Sequence, residues 1–316
     1  MNSPIRLKGV FIITMVLSLG LTSCNEKESI DTEKEVSKNQ KAESVMAKKE
    51  LSETFKSYWY AGDAEITSYQ LQQARYGETR DGKAVLIYVT EPFLPEAQVK
   101  ADESHPDNVP VLKLNTTKNY LTGIYPYSIM TSSFYPVHDN QHAIKLSFSA
   151  QEWCGQVYAQ LNNREQFDVM SHSYFESEGD QNLQLEKTIL ENEIWNKIRI
   201  DPASLPVGEF DVIPSLEYIR LAHIKLKAYK ANLRLSDVKG ISTYEITYPE
   251  LERSVKINFA IDFPHAIEGW SETAKSGFGA NVKSLTSTAT KMKTYKTPYW
   301  RQNGNKDLAL RDSLGL

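Results

Sequence analysis

Hydrophobic and polar residues alternate in short runs along most of the chain after Tyr58. Alternation with a period of two, broken by Gly, Asp and Asn, is typical of antiparallel strands with one buried face. In the first half the runs are 66–76, 84–90, 143–150, 153–161 and 167–175. In the second half they are 216–221, 225–235, 241–248 and 255–262. The Asp81-Gly82 pair predicts a hairpin turn at 80–83 between the first two runs.

The period changes between residues 183 and 199, where Leu185, Ile189, Ile194 and Ile198 recur at helical spacing. An acid early in this segment and bases late in it suit the helix dipole. The pattern predicts a β-rich α+β fold, with two antiparallel-sheet halves (51–182 and 200–300) joined by one helix at about 183–199. At the end of the chain it predicts a strand from 283, a short helix at 307–314, and docking of Tyr299 and Trp300 on the body.

The first 23 residues have a different pattern, with Arg6 and Lys8 followed by an apolar run from 9 to 21. This is the layout of a secretory signal, and thirteen residues are too few to span a bilayer, which takes about 20. The run ends at Leu21-Thr22-Ser23-Cys24, which resembles the lipobox of bacterial lipoproteins. We therefore expect cleavage before Cys24, acylation of Cys24, and a protein held by that lipid on a membrane of the cell envelope, the outer membrane.

Residues 24–50 follow as a predicted tether, in which half of positions 25–50 are charged and none is aromatic, Gly or Pro. Such a segment has too few apolar groups to form a core, so it predicts a flexible tether, with a helical stalk as the alternative. The globular region is then 51–316.

The formal net charge is −4, and removal of residues 1–23 with Arg6 and Lys8 leaves −6, which argues against a nucleic-acid partner. With lipid on Cys24, the other cysteine, Cys154, has no partner for an intramolecular disulfide.

Two sets of residues are candidates for chemistry. His138 and His142 are four apart, as metal ligands on a helix would be, but Pro136 and the Asp-Asn pair between them indicate a loop. Cys154, with His172 on a neighbouring predicted strand, is a conceivable nucleophilic pair. Because the local pattern indicates a strand and not a helix N-terminus, we expect Cys154 to be buried and inert. We expect no cofactor.

Aromatic residues cluster at Tyr58, Trp59 and Tyr60, at Tyr125 and Tyr127, and at Trp153. Aromatic rings with a polar tip suit sugar, lipid or peptide recognition, and they are also common in the cores of antiparallel sheets. The preferred interpretation of the sequence is a non-catalytic module that binds lipid, glycan or an envelope protein. The alternative is an envelope hydrolase that uses Cys154 or a metal at His138 and His142.

Four segments of this sequence resemble a family of flavobacterial, Bacteroidetes-type lipoproteins without an established activity. They are YWYAGDAEI at 58–66, IYPYSIM at 124–130, EWCGQVY at 152–158 and LRDSLGL at 310–316. Members are often labelled "septum formation inhibitor Maf". Maf proteins are cytoplasmic α/β nucleotide pyrophosphatases with a Ser-x-Ser-Pro-Arg-Arg motif, which this chain lacks. The resemblance therefore implies an envelope lipoprotein and not a nucleotide pyrophosphatase.

Overall fold

A computed structural model describes residues 50–316, which belong to one compact unit. The predicted signal, Cys24 and nearly all of the tether lie outside these residues. The described part is β-rich and contains sixteen strands and four α-helices. No helix within 50–316 is long and apolar enough to cross a membrane.

The bounds in the first half of the described chain are α1 Glu53–Trp59, β1 Ala64–Arg75, β2 Glu78–Leu94, β3 Val99–Lys100, β4 Val109–Thr122, β5 Tyr125–Pro136, β6 Lys145–Glu152, β7 Gly155–Asn163, β8 Phe167–Ser173 and β9 Gln181–Leu185. Those in the second half are β10 Ile189–Leu190, α2 Glu191–Ile200, β11 Gly208–Ile213, α3 Leu216–Leu221, β12 Tyr229–Val238, β13 Ile241–Tyr248, β14 Arg253–Ala260, β15 Ile267–Ser276, β16 Lys283–Thr297 and α4 Leu308–Ser313.

All sixteen strands form one sheet, in the order β10-β11-β12-β13-β14-β15-β16-β1-β2-β4-β5-β6-β7-β8-β9, with β3 paired to β2. Neighbours are antiparallel except β10 and β11, which are parallel. The first long strand, β1, lies between the last one, β16, and β2. The antiparallel β-rich prediction is confirmed. The predicted division into two separate sheet halves is not confirmed. The pairing of β1 with β16 joins the strands of 51–182 and those of 200–300 in one continuous sheet.

Alternation along each strand places one face of the sheet in the core. In β13, Ser242, Tyr244, Ile246 and Tyr248 are buried while the residues between them are half-buried. Strand β14 repeats the pattern from Arg253 to Phe259. The sequence therefore specifies the register, since a shift by one residue would expose the apolar set.

Helix α2 lies against the inward face of this sheet and is buried almost all round. The backbone oxygen of Trp195 accepts a bond from the Tyr88 hydroxyl of β2 at 3.1 Å, and Asn196 Nδ2 donates to the Leu112 oxygen of β4 at 2.7 Å. The carboxylate of Glu191 accepts a hydrogen bond from Arg253 of β14. Because strands distant in the sheet order all reach one helix, the sheet curves around α2.

Three local predictions are wrong. The predicted hairpin turn at 80–83 lies inside β2, and the chain turns instead at Tyr76-Gly77, where both residues have positive φ. Residues 183–185 belong to β9, so the helix begins only at Glu191. The run 216–221 is helix α3 and not a strand: Ser215 caps it by accepting the Tyr218 amide at 3.2 Å.

The C-terminal tail agrees with its prediction except at Trp300. Strand β16 and helix α4 are present, and Tyr299 packs with Leu314 on the face of β1 and β2 opposite α2. The Ser68 hydroxyl donates to the Leu314 oxygen at 2.6 Å, which fixes the tail to β1. Trp300 is 44% exposed.

Candidate functional site

Alternate connections of an antiparallel meander lie on the same edge of the sheet. Helix α3 therefore shares an edge with the turns at 76–77, 123–124 and 153–154 and with the connections 174–180, 249–252 and 277–282. We call this the α3 edge. Strand β1 begins at the opposite edge, directly after α1.

Helix α3 is held across this edge by contacts on all sides. Glu217 pairs with Lys118 of β4 at 2.8 Å, and Arg220 pairs with Glu178 at 3.3 Å. Arg75, at the end of β1, donates to the Leu221 oxygen at 2.8 Å. The helix thus closes part of the curved sheet and leaves a cleft on each side.

Cleft A, of about 440 Å³, lies between α3 and the inward faces of β6 to β9. Its apolar lining includes Phe148, Val157, Ala159, Leu183, Leu216 and Ile219. The polar lining includes Glu178, Arg220 and His223. His223 Nδ1 lies 2.6 Å from Glu178 Oε1, and the Arg220 guanidinium lies over the Phe175 ring at 4.2 Å. Cleft A therefore has an apolar wall and, beside it, the charged side chains of Glu178 and Arg220.

Cleft B, of about 430 Å³, lies on the other side of α3 against β1, β15, β16 and the connection 249–252. Its apolar lining comprises Leu221, Ile224, Leu251, Phe278, Val282 and Leu285. At its base are Gln73 and Arg75, both more than nine-tenths buried. Clefts of about 300–1,000 Å³ with apolar walls and a few polar groups are typical small-molecule sites.

The space nearer α2 is closed by ion pairs. Arg253 binds Glu191 through both terminal nitrogens, at 2.5 and 2.7 Å, and Glu272 through Nε at 2.6 Å. Burial raises the pKa of Glu191, but the Arg253 charge together with the hydrogen bonds from Arg253, Tyr248 and the Ser215 backbone outweighs burial, so the net pKa is lowered. A cavity of about 60 Å³ remains beside this pair, enough for about two waters. A larger ligand would therefore bind in clefts A and B.

Cys154 is exposed, and the prediction that it is buried on a strand is wrong. It lies in the turn between β6 and β7, where its amide donates to Glu152 Oε2 at 2.7 Å. The hydrogen bond and charge of Glu152 raise the pKa of the thiol. His172 is on β8 as predicted, but its Nδ1 lies 3.1 Å from Asp180 Oδ2. A raised thiol pKa is the opposite of what a thiolate nucleophile requires.

His138 and His142 lie in the loop between β5 and β6, at the edge opposite α3. The loop is docked on α2: His142 Nδ1 is 3.1 Å from Glu193 Oε1, and Glu193 Oε2 accepts the Ala143 amide at 2.7 Å. Within residues 50–316, no three His, Cys, Asp or Glu side chains are grouped to hold a metal ion.

The predicted recognition aromatics separate into two groups. Tyr58, Trp59 and Tyr60 lie at the β1 entry edge, with Trp59 buried under the Arg199 guanidinium. Tyr125, Tyr127 and Trp153 lie at the α3 edge. Trp153 is 69% exposed, and its ring centroid is 6.4 Å from that of Tyr125. Tyr127 is buried and donates or accepts a bond with Tyr76 at 2.7 Å.

The sequence interpretation missed the charged residues of the site. Extending the alternation of Tyr69 and Leu71 by two steps places Gln73 and Arg75 on the buried face, which was the available signal. Glu178 lies in the connection between β8 and β9, Arg220 lies in the short helix α3, and His223 follows that helix. No hydrophobic periodicity in the sequence identifies these three positions.

Neither a protein-family model nor a curated protein matches the chain. Among solved structures, a porin-like protein from Bacteroides uniformis aligns with 73% of this chain and 96% of its own, at 9% identity and a TM-score of 0.22. At that TM-score the alignment carries no argument about fold or function.

Proposed function

We propose that the protein is an envelope lipoprotein, anchored through lipid on Cys24, whose globular region binds the apolar chain of a lipid-like molecule without catalysis. The observation that carries this proposal is the pair of clefts, each above 400 Å³, beside α3. Their apolar walls would remove an acyl chain from water at about 25 cal/mol per Å². Of the three partner classes that the sequence suggests, we choose lipid, because several apolar side chains line each cleft.

Binding can be tested with the neutral probe N-phenyl-1-naphthylamine, which fluoresces in apolar surroundings. The chain from residue 24, with Cys24→Ser so that no lipid of its own competes, should enhance the fluorescence saturably. Ala159 lies in the wall of cleft A, so Ala159→Trp should weaken binding to that cleft about tenfold by filling it.

The matched control is Tyr158→Trp, since Tyr158 is the preceding residue of β7, is 38% exposed and faces away from the cleft. It should bind as the parent does. Far-ultraviolet circular dichroism checks that both variants fold. Absence of saturable binding by the parent would contradict the proposal, and equal binding by both variants would contradict binding in cleft A.

The anchor has a separate test. Mass spectrometry of the chain expressed from Met1 in a bacterial host should find an N-terminal acylated Cys24, and Cys24→Ser should move the protein from the membrane to the soluble fraction. An unmodified N-terminus, or a variant that stays on the membrane, would overturn the anchor and leave the binding proposal standing.

A further inference from the structure

Three arginines in the described core are almost fully buried, and they differ in what neutralises them. Arg199 binds both carboxylate oxygens of Glu65, and Arg253 binds Glu191 and Glu272. Arg75 is 8% exposed, and no carboxylate of residues 50–316 lies within 4.0 Å of its guanidinium. Among the buried cations of residues 50–316, Arg75 is the one without an anion within that distance.

The partners of Arg75 are all neutral. Arg75 Nη1 donates to the Leu221 oxygen, and Nη2 donates to the Tyr127 hydroxyl at 3.2 Å and to the Tyr76 hydroxyl at 3.3 Å. Its guanidinium lies over the Tyr76 ring at 4.3 Å. These contacts orient the guanidinium group of Arg75 but do not neutralise its positive charge, because arginine stays protonated in proteins.

Two polar atoms at the base of cleft B are also unused. Arg75 Nε and Gln73 Oε1 are buried and have no hydrogen-bond partner among the described residues. Burying a charge or a polar group without a partner is costly, and functional sites are where proteins retain such groups.

The acidic residues that line cleft B are each engaged elsewhere. Glu217 pairs with Lys118, Glu272 with Arg253, Glu252 with Lys275 and Glu250 with Lys227. None of them is an ion-pair partner of Arg75, which itself lines this cleft of about 430 Å³.

We propose that Arg75 binds the anionic head group, carboxylate or phosphate, of an amphipathic ligand whose apolar chain lies in cleft B against Leu221, Ile224 and Leu285. The inference rests on the proposed function and names its ligand class. A guanidinium donates charge-assisted hydrogen bonds to either anion, and a bond to a charged group is about twice as strong as a neutral one.

The experiment compares three ligands with one twelve-carbon chain: dodecanoate, dodecyl phosphate and 1-dodecanol. Each displaces N-phenyl-1-naphthylamine from the chain of residues 24–316 with Cys24→Ser at pH 7.5. At least one anion should bind about tenfold more tightly than the alcohol, and whichever anion binds more tightly identifies the head group.

Arg75→Met should abolish the preference for the anion while the alcohol still binds. Arg80→Met is the matched control: Arg80 is on β2 near the same edge, but it pairs with Glu78 at 2.6 Å and does not line the cleft. It should keep the preference. Should Arg75→Met fail to fold, Leu285→Trp, which fills cleft B, replaces it, with Thr286→Trp on the outward face as its control.

The outcomes separate the two proposals. Equal affinity for the alcohol and both anions, or an unchanged preference in Arg75→Met or Leu285→Trp, would overturn the role of Arg75 and leave a lipid-binding protein. Failure of the probe and of all three ligands to bind would overturn the proposed function itself.

Discussion

Arg199 donates to both carboxylate oxygens of Glu65, with both distances at 2.7 Å, and so ties the last turn of α2 to the start of β1. The Tyr58 hydroxyl donates to the same carboxylate at 2.5 Å, and Arg199 Nε donates to the Pro264 oxygen at 2.8 Å. Because β1 lies between β2 and β16, this pair joins the interior helix to the middle of the sheet.

We expect Glu65→Gln to reduce the free energy of unfolding by about 3–5 kcal/mol, since it leaves the buried guanidinium without its anion. Urea unfolding followed by circular dichroism measures the loss. The control is Glu53→Gln, which removes an exposed pair with Lys56 and should change stability by less than about 1 kcal/mol. Equal losses in the two variants would show that the buried pair contributes no more than a surface pair.

Stability should also fall in acid. Burial raises the pKa of Glu65, but the Arg199 charge and the bonds from Arg199 and Tyr58 outweigh burial, so the net pKa is below the usual value; the same holds for Glu191 beside Arg253. The unfolded chain therefore binds more protons below the usual glutamate pKa of about 4.3. The contribution is complete above that pH and is lost as the pH falls through the lowered pKa values.

Thermal unfolding between pH 7 and pH 2.5 measures this dependence. The double variant Glu65→Gln, Arg199→Met lacks one of the two pairs, so its unfolding midpoint should fall less steeply below about pH 4.3 than that of the parent. A parent whose midpoint does not change in this range would contradict the lowered pKa values.

Local alternation predicted the strands well because a residue's face follows from its position in a strand, as in β13 and β14. It could not predict the sheet order. The pairing of Ala64 with Thr297 joins residues more than two hundred positions apart, and no local sequence pattern predicts that contact. The two predicted halves thus became one sheet.

Competing local signals explain the errors. Asp81-Gly82 is a strong turn signal, yet Tyr76-Gly77 makes the turn, and Gly82 serves instead to let β4 approach closely. In 216–221 the alternation of Leu216 and Tyr218 suggested a strand, while the Ser215 cap and the buried pair Leu216 and Ile219 belong to a helix. For the site, the pattern could place Arg75 inward but not reveal that it lacks a carboxylate partner.

Gly82→Ala should destabilise the sheet. A Cβ at this position would lie 2.5 Å from the Asn119 oxygen and 2.8 Å from the Tyr120 Cβ, so β2 and β4 would have to separate. We expect a loss of about 1–3 kcal/mol in the free energy of unfolding. Gly304→Ala, whose Cβ would meet nothing closer than 3.4 Å, should change it by less than about 0.5 kcal/mol. Equal effects of the two substitutions would contradict the close approach at Gly82.

The last prediction concerns the thiol of Cys154, which is exposed but has a raised pKa because Glu152 accepts its hydrogen bond and carries a like charge to the thiolate. The folded protein should therefore react completely with iodoacetamide, because no unfolding is needed to reach the thiol. At neutral pH the reaction should be slower than that of a free cysteine, and its rate should rise with a midpoint above the usual thiol pKa of about 8.5.

Glu152→Gln tests the cause. It removes the carboxylate charge and should lower the midpoint of the rate profile toward that of a free cysteine, whereas Asp180→Asn, beside His172, should leave the profile unchanged. Fast labelling of the parent at pH 7 with a midpoint below 8.5 would mean that the thiolate is stabilised. That result would restore Cys154 as a nucleophile and with it the hydrolase interpretation.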